Sequence, residues 1–142
     1  MSTNQERISF DDVQVHIVNA GKALADFGRE QVRLATESEG LLDRCAGCDG
    51  PERDWAEELA ETINNFADLH VSMGGDWRAL EDLAAKVDDG TLPEEPVAGI
   101  VLELACALED LAFRSAGLLR GLLGLTRELA DHCESSREAD DE

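Results

Sequence analysis

Tyrosine does not occur in this 142-residue chain, the other aromatics are two Trp and four Phe, and lysine is confined to Lys22 and Lys86. Strands favour aromatic and β-branched residues, so this scarcity beside abundant aliphatic residues argues against a β-sandwich and for packed helices. The three prolines, Pro51, Pro93 and Pro96, leave long stretches with nothing to interrupt a helix. No glycine-rich phosphate cradle is present. No Ser, Asp or Glu stands at a recognisable catalytic spacing, and no Glu-x-x-His pair of the di-iron kind occurs. Enzymatic chemistry is therefore not expected.

Positive charge is equally sparse. Twelve Lys and Arg face 32 Asp and Glu, a formal net charge of −20, and no basic cluster exists. Nucleic acids and anionic membranes are bound through basic groups that release counterions, so direct binding to either is disfavoured and a protein with a basic surface is the natural complement. The same acidity also fits a solubilising coat suited to high salt. The opening residues Met1 to Arg7 carry no apolar export segment. The apolar-rich stretch from Val97 to Leu129 is interrupted by Glu103, Glu109, Asp110, Arg114, Arg120 and Arg127, too many charges for a membrane span. The cytoplasm is the expected location.

Against this background three stretches carry a heptad rhythm. Ser9 and Asp12 resemble a capping box that starts a helix near Phe10. Its apolar seam reads Val13, Ile17, Ala20, Leu24, Phe27, Gln31, Leu34, Ser38, Leu41. Residues 45–51, with two glycines and Pro51, end the pattern, and the glycines suggest a left-handed turn. A second seam follows as Trp55, Leu59, Thr62, Phe66, His70, Met73, Trp77, Leu80, Ala84, Val87, and it crosses Gly74-Gly75, where a kink is conceivable. After the break at residues 88–96, the third seam runs Val97, Val101, Leu104, Leu108, Leu111, Ser115, Leu118, Leu122, Leu125, Leu129, His132. The fold class expected is all-α, an elongated up-down-up bundle of three long helices forming a single domain over 9–134, with a flexible tail at 1–8 and a disordered acidic tail at 135–142.

Three sets of residues are candidates for function. Helix three carries a second stripe, Leu102, Ala105, Ala112, Ala116, Leu119, Leu123, Ala130, whose small residues would admit another helix. Leu119 and Leu123, with Leu102, Ala112 and Ala116, are the expected contact for a homo-oligomer or partner, although the stripe could equally mark the most buried helix. The up-down-up topology brings the ends of helices one and three to the same pole, which collects Cys45, Cys48, His132 and Cys133. Cys-x-x-Cys followed by glycine is a knuckle suited to tetrahedral zinc, so zinc, a disulfide and inert thiols all stay open there. Finally Asp54, Glu57, Glu58, Glu61 and Asp68, continued by Glu81 and Asp82, place carboxylates about 5 to 6 Å apart along a helix face. Such a face can be plain solvated surface, or it can imitate nucleic acid and occupy a basic groove. His16 and His70 fall on or beside the seams and read as core residues, and Cys106 as a small apolar side chain.

Overall fold

The structure, a computed structural model, describes residues 9–48 and 50–140, with side chains through Ser136. It is an all-α bundle of three helices: α1 Phe10–Arg44, α2 Glu52–Asp88 and α3 Glu94–Asp140. Helix α1 begins where the Ser9 carbonyl accepts from the amides of Asp12 (3.1 Å) and Val13 (3.2 Å), and Asp11 and Asp12 place negative charge at its positive end. It ends in successive tight turns, with Cys45 N–H donating to the Leu42 carbonyl and Cys48 N–H to that of Cys45. The left-handed glycine expected there belongs elsewhere: among the described residues only Gly90, just past α2, has positive φ, at 83°.

Helix α2 continues through Gly74-Gly75 without interruption. Helix α3 overruns the expected end near Glu134 and reaches Asp140, because Ser135 to Glu138 contain neither glycine nor proline to stop it.

The contacts group into two compact units, one of the described residues up to Asp26 with His70–Phe113 and the other of Phe27–Leu69 with the described residues from Arg114 on. All three helices contribute to each.

In the first unit the core is Val13, Ile17, Ala20, Leu24 from α1, Met73, Leu80, Ala84 from α2 and Ala98, Val101, Ala105, Leu108, Ala112 from α3. Two α2 side chains reach α1 carbonyls: Trp77 Nε1 donates to Ile17 at 2.8 Å, and His70 Nε2 lies 3.0 Å from the Leu24 oxygen. The sequence separations of 60 and 46 differ by two heptads, as antiparallel helices in fixed register require.

In the second unit Phe27, Gln31, Leu34, Ser38 and Leu41 of α1 meet Ala56, Ala60, Ile63 of α2 and Ser115, Leu119, Leu123, Thr126, Ala130 of α3. Phe27 and Phe66 stack edge to face, 6.3 Å between centroids. The buried Gln31 amide donates to the Ile63 carbonyl at 3.0 Å, and Ser38 and Thr126 bond carbonyls of their own helices, so these interior polar groups are satisfied. Helices α1 and α3 run parallel here. Glu30 with Arg120 (3.5 Å), Glu37 with Arg127 (3.3 Å) and Arg44 with Glu134 (2.6 Å) form a ladder of ion pairs, each pair 90 residues apart and each rung one heptad from the next. The ladder closes the α1/α3 seam with charge.

The α1 seam read from the sequence is buried throughout. The α2 seam is shifted in its first half: Trp55 and Thr62 are exposed while Ala56, Ala60 and Ile63 are interior. In α3 the second stripe is largely interior alongside Val101, Leu108 and Ser115 of the expected seam, while Leu104, Leu111, Leu118 and Leu125 of that same seam face out.

Candidate interaction surface

Leu119 and Leu123, expected to meet a partner, are 0% and 5% exposed inside the second unit, and Ala112 is equally buried in the first. Leu102 and Ala116 are half-buried. These residues hold the bundle together. Leu119, Leu123 and Ala112 are covered within the fold, while Leu102 and Ala116 keep part of their surface open. Alanine at positions 105, 112 and 130 lets α3 approach its two neighbours closely, which is why the small stripe turns inward.

Four leucines of the expected seam face out instead. Leu104, Leu111, Leu118 and Leu125, each seven residues from the next on α3, are 49%, 42%, 61% and 51% exposed. Each lines a groove between α2 and α3. In the first unit Leu104 and Leu111, with Ala107 and Leu108, face Ala79, Leu80 and Leu83 of α2 across a cleft of about 420 Å³ rimmed by Asp76. In the second unit Leu118, Leu122 and Leu125 face Thr62 and Phe66 across about 730 Å³, with Arg114, Gly117 and Gly121 on the α3 side. Next to it Trp55, Leu59 and Leu129 continue the apolar wall, edged by Glu52, Glu128 and His132. In the second unit the half-exposed Trp55 indole and the half-exposed Leu118 and Leu125, one heptad apart, form an apolar surface that single scattered residues would not.

At the pole, Cys48 and Cys133 are joined as a disulfide, with Cα atoms 6.0 Å apart, within the usual span of such a bond. The sequence-predicted quartet is therefore only half assembled. Cys45 is a buried free thiol whose pKa is pushed up by that burial, and His132 is exposed with Nδ1 3.4 Å from Glu52 Oε1. Among the described residues no three His, Cys, Asp or Glu side chains are placed to hold a metal ion. Arg44, bonded to Glu134 and Asp131 (both 2.6 Å), ties the same end of α1 to α3, and these carboxylates raise its pKa still further above the ordinary guanidinium range.

The acidic candidates Asp54, Glu57, Glu58, Glu61, Asp68, Glu81 and Asp82 are all exposed, and Glu57 takes Arg53 at 3.1 Å. His16 lies at the surface side of the α1/α3 seam in the first unit, 3.7 Å from the Cys106 sulfur; this exposed thiol is not the core residue its neighbours suggested. No helix among the described residues is long and apolar enough to cross a membrane. No family model, curated protein or solved structure matches the chain.

Proposed function

We propose that this chain is a non-catalytic interaction protein that holds a further amphipathic helix on the exposed leucines of α3. The observation that carries this reading is the difference between the two seams of α3. Toward α1, charge covers the seam; toward α2, the seam is left apolar and open. Burying a leucine that is half exposed contributes roughly 1 kcal/mol at the usual area coefficient, so a helix laid along two such residues and the Trp55 ring gains a useful fraction of micromolar affinity. An apolar heptad stripe is the pattern that fits such a groove. The acidic rim at Glu52, Glu58 and Glu128 favours occupants with basic flanks.

Trp55 supplies the test, because it is half exposed at the edge of the second-unit groove. Titration with a synthetic helical peptide bearing leucines at heptad spacing and flanking lysines is expected to shift its emission to the blue. A Leu118→Glu, Leu125→Glu variant is expected to lose the response. An emission spectrum unmoved under conditions where the wild type is monomeric, or moved equally in the variant, rejects the proposal.

A second reading rests on the exposed carboxylates of α2. Their spacing along one face suits a nucleic-acid mimic that blocks the basic groove of a DNA- or RNA-handling protein. Competition with DNA for such a target that weakens steeply with salt is its signature, and salt-insensitive binding rejects it.

A further inference from the structure

On the same reading, the geometry points to a second copy of this chain as the occupant of the second-unit groove, with the two α3 helices antiparallel about a two-fold axis at Gly121. The residues around Gly121 are arranged symmetrically in size and oppositely in charge. Leu118 and Leu125 stand three residues before and four after it, and Arg114 and Glu128 stand one heptad before and one heptad after. A two-fold axis through Gly121 brings each Leu118 beside the other copy's Leu125. It also brings each Arg114 beside the other copy's Glu128. A parallel pair would instead set Arg114 against Arg114 and Glu128 against Glu128, so the charges select the antiparallel arrangement.

The glycines add an independent observation. Gly117 and Gly121 lie inside α3, where each costs the helix about 1 kcal/mol relative to alanine. Neither is required by this chain, since a Cβ at either position meets nothing within 4 Å. Both line the groove, and their bare backbone permits a second helix to approach more closely than side chains would allow. At the contact, glycine of one copy lies near leucine of the other, so large and small residues interdigitate.

Net charge sets the salt dependence. Two chains of −20 repel each other, and raising salt shortens the screening length from about 10 Å at 0.1 M to about 3 Å at 1 M. The repulsion of the whole coats outweighs the two Arg114 to Glu128 pairs at the rim, so this dimer strengthens with salt. Docking of a basic partner weakens with it.

Two measurements on the full chain test the arrangement, with Cys106→Ser present to remove the exposed thiol. Sedimentation velocity is expected to show the dimer dissociation constant falling by about tenfold or more as NaCl rises from about 0.05 to about 1 M. Under mild oxidation, Gly121→Cys is expected to cross-link to itself, and Leu118→Cys to cross-link to Leu125→Cys when the two variants are mixed. Efficient linkage of Leu118→Cys to itself, with none to Leu125→Cys, overturns the antiparallel register. A monomer at every salt concentration that still takes up the leucine-heptad peptide overturns the second copy as occupant and leaves the docking groove standing. A monomer that ignores the peptide removes both.

Discussion

The indole of Trp77 occupies the space that a side chain at Gly21 would need. A Cβ at Gly21 would lie 2.8 Å from Trp77 Cζ2 and 2.9 Å from Cε2, inside any real carbon contact. The Ile17 carbonyl, whose helical partner is the Gly21 amide four residues on, is thereby opened to the indole N–H at 2.8 Å. Gly21→Ala is expected to destabilise the protein by about 1 to 3 kcal/mol through overpacking, despite alanine's better helix propensity of about 1 kcal/mol. In a Trp77→Ala background the same change should become stabilising, because only the propensity remains. Urea denaturation of the four variants reads both signs, and a Gly21→Ala penalty that survives loss of the indole would contradict the steric account.

Much of this fold is legible in the sequence, and the misreadings have a common origin. On α1 a single apolar stripe exists, so the rhythm from Val13 to Leu41 picks out the buried face without a competitor. At the start of α2, Trp55 and Thr62 displace Ala56, Ala60 and Ile63 because a large aromatic suggests a core more strongly than alanine does. On α3 two stripes lie side by side, and the leucine-rich one is only partly interior, with Leu108 inside and Leu104, Leu111, Leu118 and Leu125 outside. Periodicity shows that a helix has an apolar side but not which of two apolar sides its neighbours cover. Close helix packing selects the smaller residues, and only the three-dimensional arrangement shows that Leu118 is outside while Leu119 is inside. The pole was legible as a convergence of Cys48 and Cys133, whereas its bond was not, since spacing cannot distinguish paired thiols from metal ligands.

Adjacent leucines on α3 should accordingly behave in opposite ways. Leu119→Ala removes a fully buried side chain and is expected to cost about 2 to 5 kcal/mol, while Leu118→Ala at an exposed position should stay within about 1 kcal/mol of wild type. Leu119→Glu buries an unpaired carboxylate and should lose the helical circular-dichroism signal near room temperature, which Leu118→Glu retains. Equal tolerance at both positions would show that the small stripe is not the interior one.

The Cys48 to Cys133 bond closes a loop of 85 residues between the end of α1 and the end of α3. Such a bond stabilises chiefly by restricting the unfolded chain, typically by about 2 to 4 kcal/mol. Cys48→Ser, or reduction with dithiothreitol, should lower the thermal midpoint, and reduction should change nothing further in the Cys48→Ser, Cys133→Ser variant. Thiol counting on unreduced, denatured protein should find two reactive cysteines, Cys45 and Cys106. Cys45 should alkylate only after unfolding, since it is buried and burial raises its pKa. Four reactive thiols in protein prepared without reductant would rule the bond out.

Glu30, paired with Arg33 on its own helix and with Arg120 on α3, should have a measurable pH signature. Its carboxyl is held below the usual carboxylate range, first by the hydrogen bond from Arg33 at 2.8 Å, which with the charge of Arg33 and the hydrogen bond and charge of Arg120 outweighs the opposing effect of burial. A carboxyl whose folded pKa is depressed contributes stability that is complete above its unfolded pKa and is lost as pH falls through the folded value. The wild type should therefore be more stable than Glu30→Gln near neutral pH, and the gap should close as acid protonates the group. Protonation of the many other carboxylates relieves repulsion over the same range, so the trend of either protein alone is not diagnostic. The difference between the two is. Chemical denaturation of both proteins at matched ionic strength from neutral to acid pH isolates it, and a gap that is absent at neutral pH or constant throughout would mean that the pairs of Glu30 with Arg33 and Arg120 contribute nothing.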